Sequence, residues 1–194
     1  MKQFSLYPPS ATKAPKPGQI LIAEPLLNDA NFTRSVILLC EHSDEGSVGF
    51  VLNHPTEIRL GDIIDGLPSG GPTVFKGGPV QPDTLHLMHR VPQYLGQGKK
   101  ITNGVYWGGS FDDLYDVTTS KPFNESDIRL FLGYSGWAPG QLEDEIKEGT
   151  WLIADASEEM IFNASNDELW KLAIASLGRK YAHLAHIPTD PQMN

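Results

Sequence analysis

The stretch Val36-Ile-Leu-Leu-Cys40 constrains this chain more than any other. It is apolar without alternation and then turns polar at Glu41-His42. A strand apolar on both sides belongs in the middle of a sheet that is covered on both faces. "SDEGS" after it is a turn, and "VGFVLN" is a second strand. The two are expected to form a β-hairpin with a loop of about five residues. With Ser43–Ser47 as the loop, His42 pairs with Val48, Cys40 with Phe50, and Glu41 faces Gly49. A glycine opposite a glutamate leaves room for another group.

The rest of the pattern supports a sheet. There are 19 glycines and 15 prolines in 194 residues, above the usual combined share of about 12%. That favours short strands and tight turns over a helix bundle. Further strands are expected at "GQILIAEPLL", "TVFKGGPV", "LHLMHRV", "VYWGG" and "TWLIAD", with a loop at "QYLGQGKKITNG". "NESDIRLFLGYSGW" fits a helix through Ile128, Phe131 and Leu132, or a strand through Ile128, Leu130 and Leu132. Its run into Gly133-Tyr134 favours the strand. Helices are expected at "RLGDIIDGLP", closed by Gly66 and Pro68, and after Ser110 as N-cap. Another starts at Pro139 and ends at Gly149, with Glu143 placed to support Lys147. The last follows a capping box at Ser165–Glu168 and carries a stripe of Leu169, Leu172, Ala173 and Leu177. Strands early and alternation later indicate an α+β fold with a mixed sheet. Residues 1–18, with Pro8, Pro9, Pro15 and Pro17, read as an extended arm. Residues 19–187 make one domain, and 188–194 a tail.

Several functional classes are disfavoured. The net charge is −9, and Lys99-Lys100 and Arg179-Lys180 are the adjacent basic pairs. Direct nucleic-acid binding is therefore disfavoured. The longest aliphatic run falls short of the ~20 residues of a membrane span. The single Cys40 excludes an internal disulfide and suits a cytoplasmic location. There is no phosphate loop, serine elbow or metal motif, so no cofactor and no metal site are expected. His86 and His89 point to opposite faces of a strand. Cys40 is a core thiol rather than a nucleophile.

Arg34, Glu41, His42 and Asn53 form the candidate binding set, with Glu41 and His42 as candidate acid and base. Arg34 and Glu41 lie about 23 Å apart along a straight strand, so each needs another partner. The plainer reading makes them anchors at the sheet rims. "GYSGWAPGQ" is read as a strand-to-helix corner. Glu143, Asp144 and Glu145 complement the helix end and repel anions.

"RSVILLCEHSDEGSVGFVLNHP", "FKGGPV" and "LGYSGWAPGQLEDEIKEGTWL" together resemble the bacterial YqgE/AlgH family. The matching residues are Arg34-Ser35, Cys40-Glu41-His42, Gly46, Gly49, Asn53 and Pro55. They continue with Gly77-Gly78-Pro79, Gly133-Tyr134, Trp137, Gly140-Gln141-Leu142-Glu143, Glu145 and Trp151. His54 departs from the Lys or Arg common in members. The resemblance implies a barrel-like, bifurcated β-sheet surrounded by helices, in a cytosolic bacterial protein. It implies no assigned reaction; some members carry the label of transcriptional regulator. The expectation is a non-enzymatic protein acting through a protein or small-molecule partner. An acid–base enzyme and a direct DNA binder are the alternatives.

Overall fold

In the computed structural model, residues 13–67, 69–120, 124–163 and 165–187 are described. Pro8, Pro9, Pro68 and the expected tail lie outside them. The strands are β1 (Gln19–Ala23), β2 (Val36–Ser43), β3 (Gly46–Val51), β4 (Pro55–Arg59) and β5 (Thr73–Lys76). They continue with β6 (Val80–His89), β7 (Lys99–Thr102), β8 (Val105–Trp107), β9 (Ile128–Trp137) and β10 (Trp151–Asp155). The α-helices are α1 (Pro92–Leu95), α2 (Phe111–Ser120), α3 (Gln141–Glu148) and α4 (Asn166–Ser176). The ten strands form one mixed sheet with the path β10-β1-β2-β3-β9-β6-β8-β7. β5 joins β9 in parallel, and β4 pairs with β5. The sheet does not close, since β10 and β7 end its path unpaired with each other. It forks at β9, whose first half carries β5 and β6 on its two edges while its last residues carry β3.

Three apolar clusters explain the sequence pattern. On one side of the sheet, Ile20, Ile22, Val36, Leu38, Phe50 and Phe131 pack under Leu169, Trp170 and Ile174 of α4. The alternate residues Leu21, Ile37 and Leu39 pack on the other side with Leu142 of α3. Across the fork, Val74, Leu87 and Leu130 pack with Leu95 of α1 and Leu114 and Val117 of α2. β2 is apolar on both sides because it feeds two cores at once, each residue of Val36–Cys40 being fully buried.

The hairpin is tighter than expected. Ser43 pairs with Gly46, leaving a turn of Asp44-Glu45. Leu39 pairs with Gly49 but Glu41 with Val48, so Cys40 is an extra residue, a β-bulge. Glu41 therefore faces Val48, and His42 faces Ser47. Gly49 makes room for the bulged neighbour: a Cβ there would meet the Ile37 side chain at 2.7 Å and Leu38 O at 2.8 Å.

Other elements also differ from expectation. The helix after Arg59 is a single 3-10 turn, Leu60–Asp62. β6 starts earlier, at Val80, and the expected loop after it contains α1 and β7. α3 begins after Gly140, so Pro139 precedes the helix, and Lys147 pairs with Asp144 rather than Glu143. Ser165 stands at the α4 N-cap without a side-chain bond. The face α4 buries holds Leu169, Trp170, Ala173 and Ile174, while Leu172 is exposed. Residues Arg179–His186 form a 3-10 helix that inserts Tyr181 and Leu184 into the core. The end of the expected arm is tied down: Gly18 N–H donates to Leu39 O, and Lys13 pairs with Asp155. No helix of the described residues is long and apolar enough to cross a membrane.

Candidate functional site

The site is built where the chain crosses β9. β5 and β6 both pair with Leu130, so they lie on opposite edges of β9. The three residues between them must pass over the strand, and Gly77-Gly78 does so. A Cβ on Gly78 would lie 2.2 Å from the carbonyl carbon of Tyr134, and one on Gly77 2.3 Å from Gly133 O. Backbone rests on backbone here, which only glycine allows. Gly133 answers from the other side, with φ 66° and no room for a Cβ beside Gly78 O at 2.7 Å. Gly77 also accepts from Val51 N–H (2.9 Å) and the Ser135 hydroxyl (3.1 Å), and donates to Leu132 O (2.8 Å). The Gly77-Gly78-Pro79 and Gly133-Tyr134 motifs thus form one device that makes the fork.

Beyond the crossing, β6 has no residue opposite Gly136. Its last pair with β9 is Val80 with Tyr134. A cleft of about 380 Å³ opens there, walled by Val80, Tyr134, Gly136 and Trp137 from the fork. Glu41, Ser43, Glu45, Gly46, Ser47 and Val48 of the hairpin complete it. Glu41 is ion-paired with Lys99. Glu45, in the exposed turn, has no ion pair among the described residues. With two carboxylates against the one Lys99 ammonium, the rim keeps a net negative charge.

The four candidate residues separate into two pairs at opposite ends of β2. At the start of the strand, Asn53 Oδ1 accepts from Val36 N–H and its Nδ2 donates to Arg34 O, both at 2.9 Å. This holds Arg34 in a left-handed conformation, φ 55°. The Arg34 guanidinium lies 4.1 Å over the Trp170 ring and donates to Ile187 O. Arg34 and Asn53 thus fasten the C-terminal segment and do not line the cleft. At the far end, Glu41 lines the cleft while His42 turns to the opposite sheet face. His42 Nδ1 bonds Ser47 Oγ at 2.8 Å, and Nε2 lies 3.6 Å from Glu143 Oε1. Successive strand residues face opposite ways, so Glu41 and His42 do not converge on one reacting atom. Cys40 is buried, and desolvation pushes its thiol well above the ordinary value.

The remaining motif residues lock α3 to the sheet. Glu145 Oε2 accepts from both Trp137 Nε1 (2.8 Å) and Trp151 Nε1 (2.7 Å), and Gln141 Nε2 donates to Oε1 (2.8 Å). Gly140 takes the left-handed N-cap position with φ 76°. "GYSGWAPGQ" is therefore both a strand-to-helix corner and, through Tyr134, Gly136 and Trp137, one wall of the cleft. In the sequence Gly136 reads only as a glycine that lets the corner turn, Ser43 and Glu45 only as hairpin loop, and Val80 only as a strand residue; none stands out as lining a cleft. Sequence reading also missed Arg129, whose guanidinium is buried over Phe75 at 4.0 Å and donates to Ile161 O at 2.7 Å. Burial pushes its pKa down to about 10. Among the described residues no three His, Cys, Asp or Glu side chains converge to hold a metal.

Comparison with known proteins agrees with the motifs. The AlgH-like family model (DUF179) matches residues 20–182. A UPF0301 protein of Chlorobaculum tepidum is 40% identical over 179 residues, covering 92% of this chain and 96% of its own. One from Cytophaga hutchinsonii is 38% identical over 178 residues, covering 91% and 98%. The solution structure of the AlgH protein from Pseudomonas aeruginosa superposes with a TM-score of 0.70 at 28% identity, over 91% of this chain and 97% of that one. A crystal structure of DIP2367 from Corynebacterium diphtheriae shares the fold, with TM-score 0.74 at 24% identity over 89% and 93%. With its glycine crossing, its glutamate-bridged tryptophans and a family match over most of its length, the chain belongs to the AlgH-like family.

Proposed function

We propose that this is a non-enzymatic cytosolic protein that acts through a partner, protein or small molecule, engaging a cationic group of it in the cleft at the β9 fork. The observation that carries this reading is the lining: Glu41 and Glu45 on a concave surface completed by Ser43, Gly46, Val48, Val80, Tyr134 and Gly136. Such a surface favours an amine or guanidinium and disfavours phosphate. The whole chain, at −9, draws cationic partners from a distance. A regulatory role would then run through such a partner rather than through DNA.

The acid–base alternative loses support from the strand geometry, since Glu41 and His42 face apart. Its remaining support is the chain Ser47–His42–Glu143. Ser47, however, is 5% exposed, and its hydroxyl is bonded to the imidazole.

The test is an ¹⁵N NMR titration with n-butylammonium, against acetate as control. Amide shifts at Glu41, Gly46, Val48 and Gly136, lost in Glu41→Gln/Glu45→Gln, are expected. Absence of shifts at tens of millimolar, or equal shifts with acetate, would overturn the reading.

A further inference from the structure

The cleft has an unused strand edge as its back wall. β9 pairs with β3 through Ser135, Gly136 and Trp137. Trp137 O lies against Gly46 of β3. In an antiparallel ladder, adjacent residues turn their N–H and C=O to opposite edges. The polar backbone of Gly136 therefore points away from β3, toward the line that β6 occupied as far as Val80. No β6 residue stands opposite it. Pro79 has no N–H and cannot extend the ladder. The edge ends abruptly, between the crossing and the turn at Gly140.

One cross-strand row runs from this edge into the acidic part of the cleft: Gly136, then Val48, then Glu41. Gly136 offers no side chain to obstruct that row. Strands lie about 4.8 Å apart, so a residue placed beside Gly136 is about 14 Å from Glu41 along the row. An extended lysine or arginine stem laid over Gly136 toward Val48 covers about half of that span, and the glutamate side chain with one hydrogen-bond length closes the rest.

We infer that the partner engaged by the cleft is an extended peptide segment bearing a lysine or arginine. It adds as a short strand to the free edge of β9 at Gly136 and lays its cationic side chain across Gly136 toward Glu41 and Glu45. This rests on the cationic-cleft reading above and gives it a partner class. The backbone of β9 supplies the docking bonds, and the acidic rim supplies the choice of side chain, the division seen in strand-addition recognition. Val80 and Tyr134 bound the peptide at one end, so the segment is short and its affinity modest.

The probe is acetyl-Val-Lys-Val-Lys-Val-amide, titrated into the full ¹⁵N-labelled chain. Shifts centred on Gly136 and Trp137, and intermolecular contacts to the Gly136 amide, are expected. Two N-methylated versions, each blocking one alternate set of backbone N–H groups, separate strand addition from side-chain capture. One should lose at least tenfold in affinity and the other should retain it. Glu41→Gln/Glu45→Gln should weaken the parent peptide about tenfold, and acetyl-Val-Glu-Val-Glu-Val-amide should not bind. Gly136→Ala should weaken it as well; if that variant misfolds, the methylated peptides still decide. Equal binding of both methylated peptides, equal binding of the glutamate peptide, or shifts confined to another edge would overturn the inference. Butylammonium shifts in the cleft without peptide binding would sink strand addition and leave the cationic cleft standing. Silence from both would sink the two together.

Discussion

Trp137 donates its indole N–H to Glu145 at 2.8 Å, tying the last residue of β9 to the helix that follows it. Trp151 donates to the same oxygen, and the two indoles meet edge to face, with centroids 6.1 Å apart. A single carboxylate thus fixes the angle between strand β9, helix α3 and strand β10. Trp137 also walls the cleft, so the geometry of the site depends on a bond made outside it.

Glu145→Ala should lower stability by about 2–4 kcal/mol, because two buried indole donors lose their acceptor. Glu145→Gln keeps one acceptor oxygen and should cost about half as much. Urea unfolding followed by tryptophan fluorescence checks both; the midpoint should fall with an unchanged slope.

Gly78→Ala should abolish folding. Its Cβ would fall within 2.4 Å of three backbone atoms of Tyr134 and Ser135, which cannot move without parting β9 from β6. Gly140→Ala is the control: it has φ 76° and ψ −13° with nothing within 4 Å of a Cβ, so only the left-handed backbone penalty of about 1 kcal/mol applies. Soluble yield and thermal unfolding of the two variants distinguish collision from backbone preference.

Stability should fall on acidification. His89 is fully buried with no partner for its ring beyond the backbone of Gly108, and His86 Nε2 is buried without a partner among the described residues. Burial pushes both below the ordinary histidine value of 6.5. Below about pH 6.5 the unfolded chain takes up protons that the folded rings refuse, so the folded state loses ground until their lowered pKa values are passed. Above that pH these groups contribute no slope. Urea midpoints at pH 7.5 and 5.0 measure the effect, and His89→Phe, stacked on Tyr106 as the imidazole is, should flatten it.

Cys40 should be silent toward a thiol-specific disulfide reagent in the native protein. Its thiol is fully buried, with its ionisation pushed up by desolvation and by Glu41. Reaction should occur only at the rate of unfolding. A fast reaction in buffer would show that the β2 bulge opens locally.

Much of the fold was legible because β2 and β3 carry unmistakable apolar patterns and because Ser110, Gly149 and the β9 residues punctuate their elements. What failed did so for physical reasons. The two-residue turn shifts the hairpin register by one from the expected pairing, and the bulge at Cys40, which leaves no mark in an apolar run, makes it two at Leu39 and the residues before it. β7 buries Ile101 alone among its four residues, too little for periodicity to reveal. On α4, Trp170 and Ile174 displaced Leu172 because the core wraps the helix from a different side than the leucines suggested. At the site, Glu41 was found by its charge next to an apolar strand. Gly136 and Val80 matter through what β6 does not cover, and an absence of pairing has no residue signature.

The passage of Gly77-Gly78 over β9 has no spare length. Lys76 is held in register with Leu132 on one side and Val80 with Tyr134 on the other, so the link between them is a buckle of fixed size. An inserted residue would have to bulge into Phe50 and Phe131, whose atoms stand 3.0 Å from where a Gly77 side chain would begin. Relatives that change length are therefore expected to do so at Asp44-Glu45 or around Gly70-Gly71, and to leave the buckle untouched.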